Sequence, residues 1–147
     1  MRRLLLGALL FVALAARADG PAVLDVLAPD GRRTEPLEEL VRGAQLPPGE
    51  DFRVRELFRD AGTSHHVVSI RDGETPHRHD GHDLVVLILE GEGTMRLGDG
   101  VQPVGKGSIL YVPRGTVHAF RNGGSGTAVA YAVYAPAFDG RDRVEVP

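Results

Sequence analysis

Gly107-Ser108-Ile109-Leu110-Tyr111-Val112-Pro113-Arg114-Gly115-Thr116-Val117-His118-Ala119-Phe120-Arg121-Asn122 is the stretch on which the reading of this chain turns. An apolar run with strand character, Ile109–Val112, stops at Pro113, and Gly115 follows. Proline presets φ for a turn and glycine supplies the positive φ that other residues avoid, so Pro113-Arg114-Gly115 reads as a tight turn. It delivers a second short strand, Val117–Phe120, which carries His118. Upstream stands His77-Arg78-His79. Alternate residues of a strand share one face, so His77 and His79 project to the same side. Neutral imidazole is the commonest protein ligand for transition metals, and three converging histidines point to a metal site inside a small β-barrel.

Outward from this stretch the pattern is of short strands. Phe52, Val54 and then Leu57 with Phe58 suggest one with an irregularity near Glu56, and His66–Ile70 suggests another. Leu84–Leu89 is apolar on both faces, as a buried central strand requires. Thr94–Leu97 and Thr127–Tyr134 complete the set, with turns at Asp72-Gly73, Gly91-Glu92-Gly93, Asp99-Gly100 and Asn122-Gly123-Gly124. Strands and turns at this spacing predict an all-β antiparallel barrel or sandwich. In Thr127–Tyr134, Ala128, Ala130 and Ala132 share one face, while Val129, Tyr131 and Val133 share the other. Turned inward, the alanine face leaves room for a ligand beside the metal; the alternative is tight packing on a neighbouring strand or arm.

The N-terminal part reads differently. Ala22–Leu27 suggests a first strand, and a helix is expected from Pro36 to Gln45, with Glu38 and Glu39 near its start and Pro47-Pro48 ending it. Arg2-Arg3, an apolar Leu4–Ala16 and the small-residue site Ala16-Arg17-Ala18 make residues 1–18 a signal peptide cut after Ala18. The expected layout is therefore a signal peptide (1–18), an arm with a short helix and the first strands (19–60), a barrel (61–138) and a tail (139–147). Within that tail, Asp139-Gly140-Arg141-Asp142-Arg143 reads as a solvated run with surface ion pairs.

Such a chain is expected in the periplasm or secreted, with no stable membrane anchor after cleavage. It contains no cysteine, so disulfides do not contribute. Loss of Arg2, Arg3 and Arg17 lowers Lys+Arg from 17 to 14 against 20 acidic residues, moving the net charge from −3 to −6. An acidic surface without tryptophan argues against nucleic acid as a partner.

Gly107, Pro113, Gly115, His118 and Asn122 meet the pattern G-x5-P-x-G-x2-H-x3-N in full, and His77, His79 and Gly91 meet part of G-x5-H-x-H-x3,4-E-x6-G. In these motifs, over roughly residues 61–138, the chain resembles the cupin superfamily, whose fold is a double-stranded β-helix barrel. The resemblance implies a divalent transition metal (Fe, Mn, Ni, Zn or Cu) held by His77, His79 and His118. No glutamate stands at the fourth position. Asp83 occupies it at the right distance from His79, but one extra residue separates Asp83 from Gly91 and implies a strand bulge, so His82 is the alternative. Asp83 would suit Fe(II), Mn(II), Co(II) or Ni(II); a fourth imidazole leans toward Zn(II), Cu(II) or Ni(II).

Gly107, Pro113 and Gly115 read as turn formers and Asn122 as the holder of an Asx turn. Of His65 and His66, adjacent on a strand, at most one can face the site. No dedicated base or nucleophile stands out; Glu74, Asp80, Tyr111 and Tyr131 are candidates by position. The function expected is an exported metal-binding protein that acts on or binds a small organic molecule. Metal-dependent dioxygenase chemistry comes first, with isomerisation or decarboxylation behind it, and the alternative is a non-catalytic module that binds a small molecule or metal. Relatives of this type often pair as homodimers, and one is expected here.

Overall fold

Strand-forming sequence from Phe52 onward closes into two five-stranded antiparallel sheets with a shared apolar interior. The computed structural model describes residues 21–28 and 30–147; the expected signal peptide, 1–18, lies outside them. A hairpin of β1 (Val23–Ala28) and β2 (Gly31–Pro36) leads into helix α1 (Leu37–Gly43). The first sheet takes the order β3 (Phe52–Arg59), β4 (Ser64–Ile70), β11 (Ala128–Ala135), β6 (Asp83–Glu90), β9 (Ile109–Val112). The second runs β12 (Val144–Glu145), β5 (His77–Arg78), β10 (His118–Asn122), β7 (Glu92–Leu97), β8 (Gly100–Gly105). This is the barrel the motifs imply.

Two boundaries move. β3 lies in the segment read as an arm, yet it pairs along β4 as a full member of the first sheet. The tail contributes β12, which pairs with β5. The unforeseen β8 contains Pro103, which a strand tolerates at the edge of a sheet, where β8 sits.

Strand β11 serves two cores. Ala128, Ala132 and Tyr134 join Val68, Leu84, Met95 and Phe120 inside the barrel, whereas Val129 packs outside with Leu40, Ala44, Val67 and Leu89 under α1. The alanine face therefore points inward, toward open space. Helix α1 docks through Leu40, which is fully buried; Pro36 precedes it at φ −58°, with Glu38 and Glu39 in its first turn.

Both expected irregularities are present. The register of β3 on β4 shifts between Glu56 and Phe58. On β6, Ile88 pairs with Ala130 and Glu90 with Val129, so Leu89 is the extra residue. That bulge lies at the far end of β6 from Asp83. At the β7–β10 contact the backbones come so close that a Cβ on Gly93 would sit 2.1 Å from the Arg121 carbonyl.

Candidate metal centre

The pairing of β5 with β10 sets His77 directly opposite His118. His79 follows on the same face, and the three are 2%, 3% and 4% exposed. One ring nitrogen from each lies within 4.8 Å of the other two. The remaining nitrogens are engaged. His77 Nδ1–H donates to the Thr75 carbonyl at 2.9 Å, His118 Nδ1–H to the Thr116 carbonyl at 3.0 Å, and His79 Nδ1–H to the Asp142 carbonyl. A carbonyl can only accept, so each contact fixes the Nδ1–H tautomer. The Nε2 lone pairs of His79 and His118 have no hydrogen-bond partner among the described residues, while that of His77 accepts from Arg143, a bond that a metal ion on His77 would replace. Burial pushes all three imidazoles below their ordinary range, His79 to about 4, so each is neutral at neutral pH, the form that coordinates a metal. The donor set fits a divalent transition ion.

The turn read from sequence is what aims His118. Gly115 adopts φ +76°, where only glycine is at ease, and its N–H donates to the His79 carbonyl at 2.7 Å. The two motifs are thus tied to each other through backbone. Asn122 holds its Asx turn, accepting from Gly124 N–H at 3.0 Å, and its amide donates to the carbonyls of Arg71 and Gly126, both at 2.7 Å.

The histidines line a cavity of about 160 Å³ whose walls are otherwise mostly aliphatic and aromatic; its other charged lining groups are Glu74 and Arg143. Glu74 is 12% exposed at its side chain, with Oε1 4.0 Å from His77 Nε2. Burial pushes its carboxyl up, and the Arg143 guanidinium at 3.4 Å opposes that rise. Arg143 also donates from Nη1 to His77 Nε2 at 2.9 Å.

Neither residue expected as fourth ligand joins the cluster. Leu84 takes the inward position at the start of β6, so by strand alternation Asp83 faces away. Its carboxylate accepts from the Arg114 backbone N–H at 2.8 Å and from the Arg114 guanidinium at 2.7 Å, contacts that hold it down to about 2. His82 is buried, but its Nδ1 meets the Asp142 carboxylate at 2.5 Å and its Nε2 faces the Ala137 carbonyl at 3.3 Å.

The tail is not a solvated run. Asp142 accepts from the backbone N–H groups of Asp80 and Gly81 at 3.0 and 2.8 Å as well as from His82, and Arg143 enters the cavity. The pull comes from β12, which adds a strand beside His77. Sequence reasoning missed Asp142 and Arg143; the alternation Val144-Glu145-Val146 was the available sign of a strand there. Among the positional candidates, Glu74 faces the cavity. Asp80 pairs with Arg78, Tyr111 is 59% exposed, and Tyr131 bonds His65 on the outer face at 2.7 Å. Of the histidine pair, His65 stacks on Phe58, while His66 is buried edge-on to Tyr134.

The family model described as Cupin domain matches residues 64–134. An uncharacterized protein of Aquifex aeolicus is 34% identical over 110 residues, covering 75% of this chain and 89% of that protein. A double-stranded β-helix protein of Klebsiella pneumoniae superposes with a TM-score of 0.60 at 20% identity, covering 72% of this chain and 95% of that one. A single-substitution variant of Streptomyces Pac13 solved with uridine gives 0.56 at 20% identity over 70% of this chain and 83% of its own. Pac13 itself, described as a nucleoside dehydratase, gives 0.52 at 20% identity over 63% of this chain and 84% of its own. At such identities these structures speak for the fold alone.

Proposed function

The chain belongs to the cupin superfamily, and from that premise we propose that it holds a divalent transition metal on His77, His79 and His118 and binds or transforms a small organic molecule in the adjoining cavity. The observation that carries this reading is the set of three buried imidazoles, each with Nδ1–H spent on a carbonyl and Nε2 turned to a common point. When bound, such an ion supplies Lewis acidity and open coordination positions.

The protein's own groups do the rest. The aliphatic and aromatic walls exclude water and strengthen every polar contact made inside. We assign Glu74, in place of Asp83 or His82, as the acid group of the site, because it is the buried carboxyl that shares the cavity with the histidines. A carboxyl so placed can hold or pass a proton at Oε1. That favours isomerisation, elimination or decarboxylation over dioxygenase chemistry, a reading supported by the description of the similarly folded Pac13 as a nucleoside dehydratase. Export through a cleaved segment 1–18 is part of the same proposal, supported by its charged start, apolar middle and small-residue end.

Purification of the mature protein from its native compartment tests both parts. About one equivalent of a transition metal in wild type, with loss in His79→Ala and retention in Asp83→Ala and His82→Ala, is the expected result. Less than about a tenth of an equivalent after metal supplementation overturns the metal reading. A mature N-terminus at Asp19 is expected, and an intact Met1 would overturn export.

A further inference from the structure

Among the described residues lining the cavity, Arg143 is the one permanent cation. Its nitrogens are unequally engaged. Nε donates to Glu145 Oε1 at 2.8 Å, and Nη1 lies 2.9 Å from His77 Nε2 and 3.4 Å from Glu74 Oε1. Nη2 has no hydrogen-bond partner among the described residues. The guanidinium carbon stands 6.0 Å from the centre of the Phe52 ring, another wall of the cavity. One third of the side chain is exposed, so the cation lines the cavity and is also reached by solvent.

The free Nη2 edge offers two N–H donors and a permanent positive charge, for which a carboxylate is the matching acceptor. A second carboxylate would be buried among the apolar walls with no partner. A polyhydroxylated neutral molecule would bury hydroxyls against Met95, Leu110 and Phe120, where no partners exist.

Size adds a bound: cavities of about 150 Å³ accept a benzene-sized body, and this one is about 160 Å³. Resting on the metal reading above, we propose that the ligand is a small monocarboxylic acid with an apolar body, its carboxylate held by the Nη2 edge of Arg143 beside the three histidines. Arg143 is then the specificity-determining residue of the site, supplied by the C-terminal tail.

The test compares matched acids and amides, benzoate with benzamide and isovalerate with isovaleramide. Binding to the metal-loaded mature chain is measured by calorimetry, and metal content and thermal melting are read on every sample. The acids are expected to bind at least about tenfold more tightly than the amides, the scale of one charge-assisted hydrogen bond. In Arg143→Gln that preference should fall to within about threefold, with metal retained, and Arg143→Lys should keep part of it because the charge survives without the planar donor geometry. Stripping the metal should reduce the preference in wild type without removing it, because the guanidinium stays in place. Equal binding of acids and amides, a preference that survives Arg143→Gln in a folded variant, or no acid binding at millimolar concentration overturns the assignment while the metal reading stands. A wild-type protein that takes up no metal overturns the reading beneath it.

Discussion

The Pro113–His118 turn and the Asp139–Glu145 tail serve the same three histidines by opposite means. In the turn everything is local. Thr116 N–H donates to the Pro113 carbonyl at 3.1 Å, Gly115 supplies the positive φ, and His118 is oriented by a carbonyl two residues away. In the tail everything is remote. The carbonyl that orients His79 belongs to Asp142, 63 residues along, and reaches it because Val144 and Glu145 pair with Arg78 and His77. A ligand can thus be set by its own turn, while the group that holds the next ligand arrives only when the barrel is assembled.

His118→Ala has the largest expected effect. Removing a buried donor should weaken metal binding by more than about a hundredfold, beyond the usual cost of losing an outer partner; calorimetric titration with Zn(II) or Ni(II) reads it, and near-normal affinity would break the turn's side of the comparison. Acid comes next. Below pH 6.5 the unfolded chain takes up a proton at His79, whereas the folded, metal-free chain does so only near 4. Stability is therefore full above about 6.5 and falls as pH drops toward 4, by roughly 3 kcal/mol from His79 alone. His77 and His118 shift the same way and steepen the loss. Urea midpoints at pH 7 and 4.5 measure it, and His79→Gln should flatten the slope.

Ending the chain at Gly140 removes the Asp142 carbonyl and Arg143 together. Metal affinity should drop by about 10- to 100-fold with the barrel still folded; unchanged affinity would show that the tail does not orient His79. The smallest effect is expected for Asp83→Asn. Its partner Arg114 lies on the outer surface, so metal affinity should change by less than about threefold. A larger loss would restore Asp83 as a ligand.

Much of this was legible in residue order because it depends on short-range geometry. Pro113, Gly115 and His118 specify a turn among themselves, and His77 and His79 share a face by strand period alone. The extra residue between Asp83 and Gly91 announced a bulge, and a bulge there is. Its location at Leu89 was not legible, since that depends on which partner strand β11 presents. For the same reason the fourth-ligand question had no answer in spacing: Asp83 sits at the expected distance from His79 and still faces outward, because Leu84 fills the inward position.

Residue order by itself determined most of the barrel strands, the two motifs and the histidine triad, since turns and alternation act over a few residues. Only the tertiary structure decided the rest. It turned the alanine face of β11 into the cavity and brought Asp142 and Arg143 in from the tail. These are contacts between segments far apart in the chain, selected by sheet pairing and by the burial of apolar surface, and no local pattern encodes which segment will arrive.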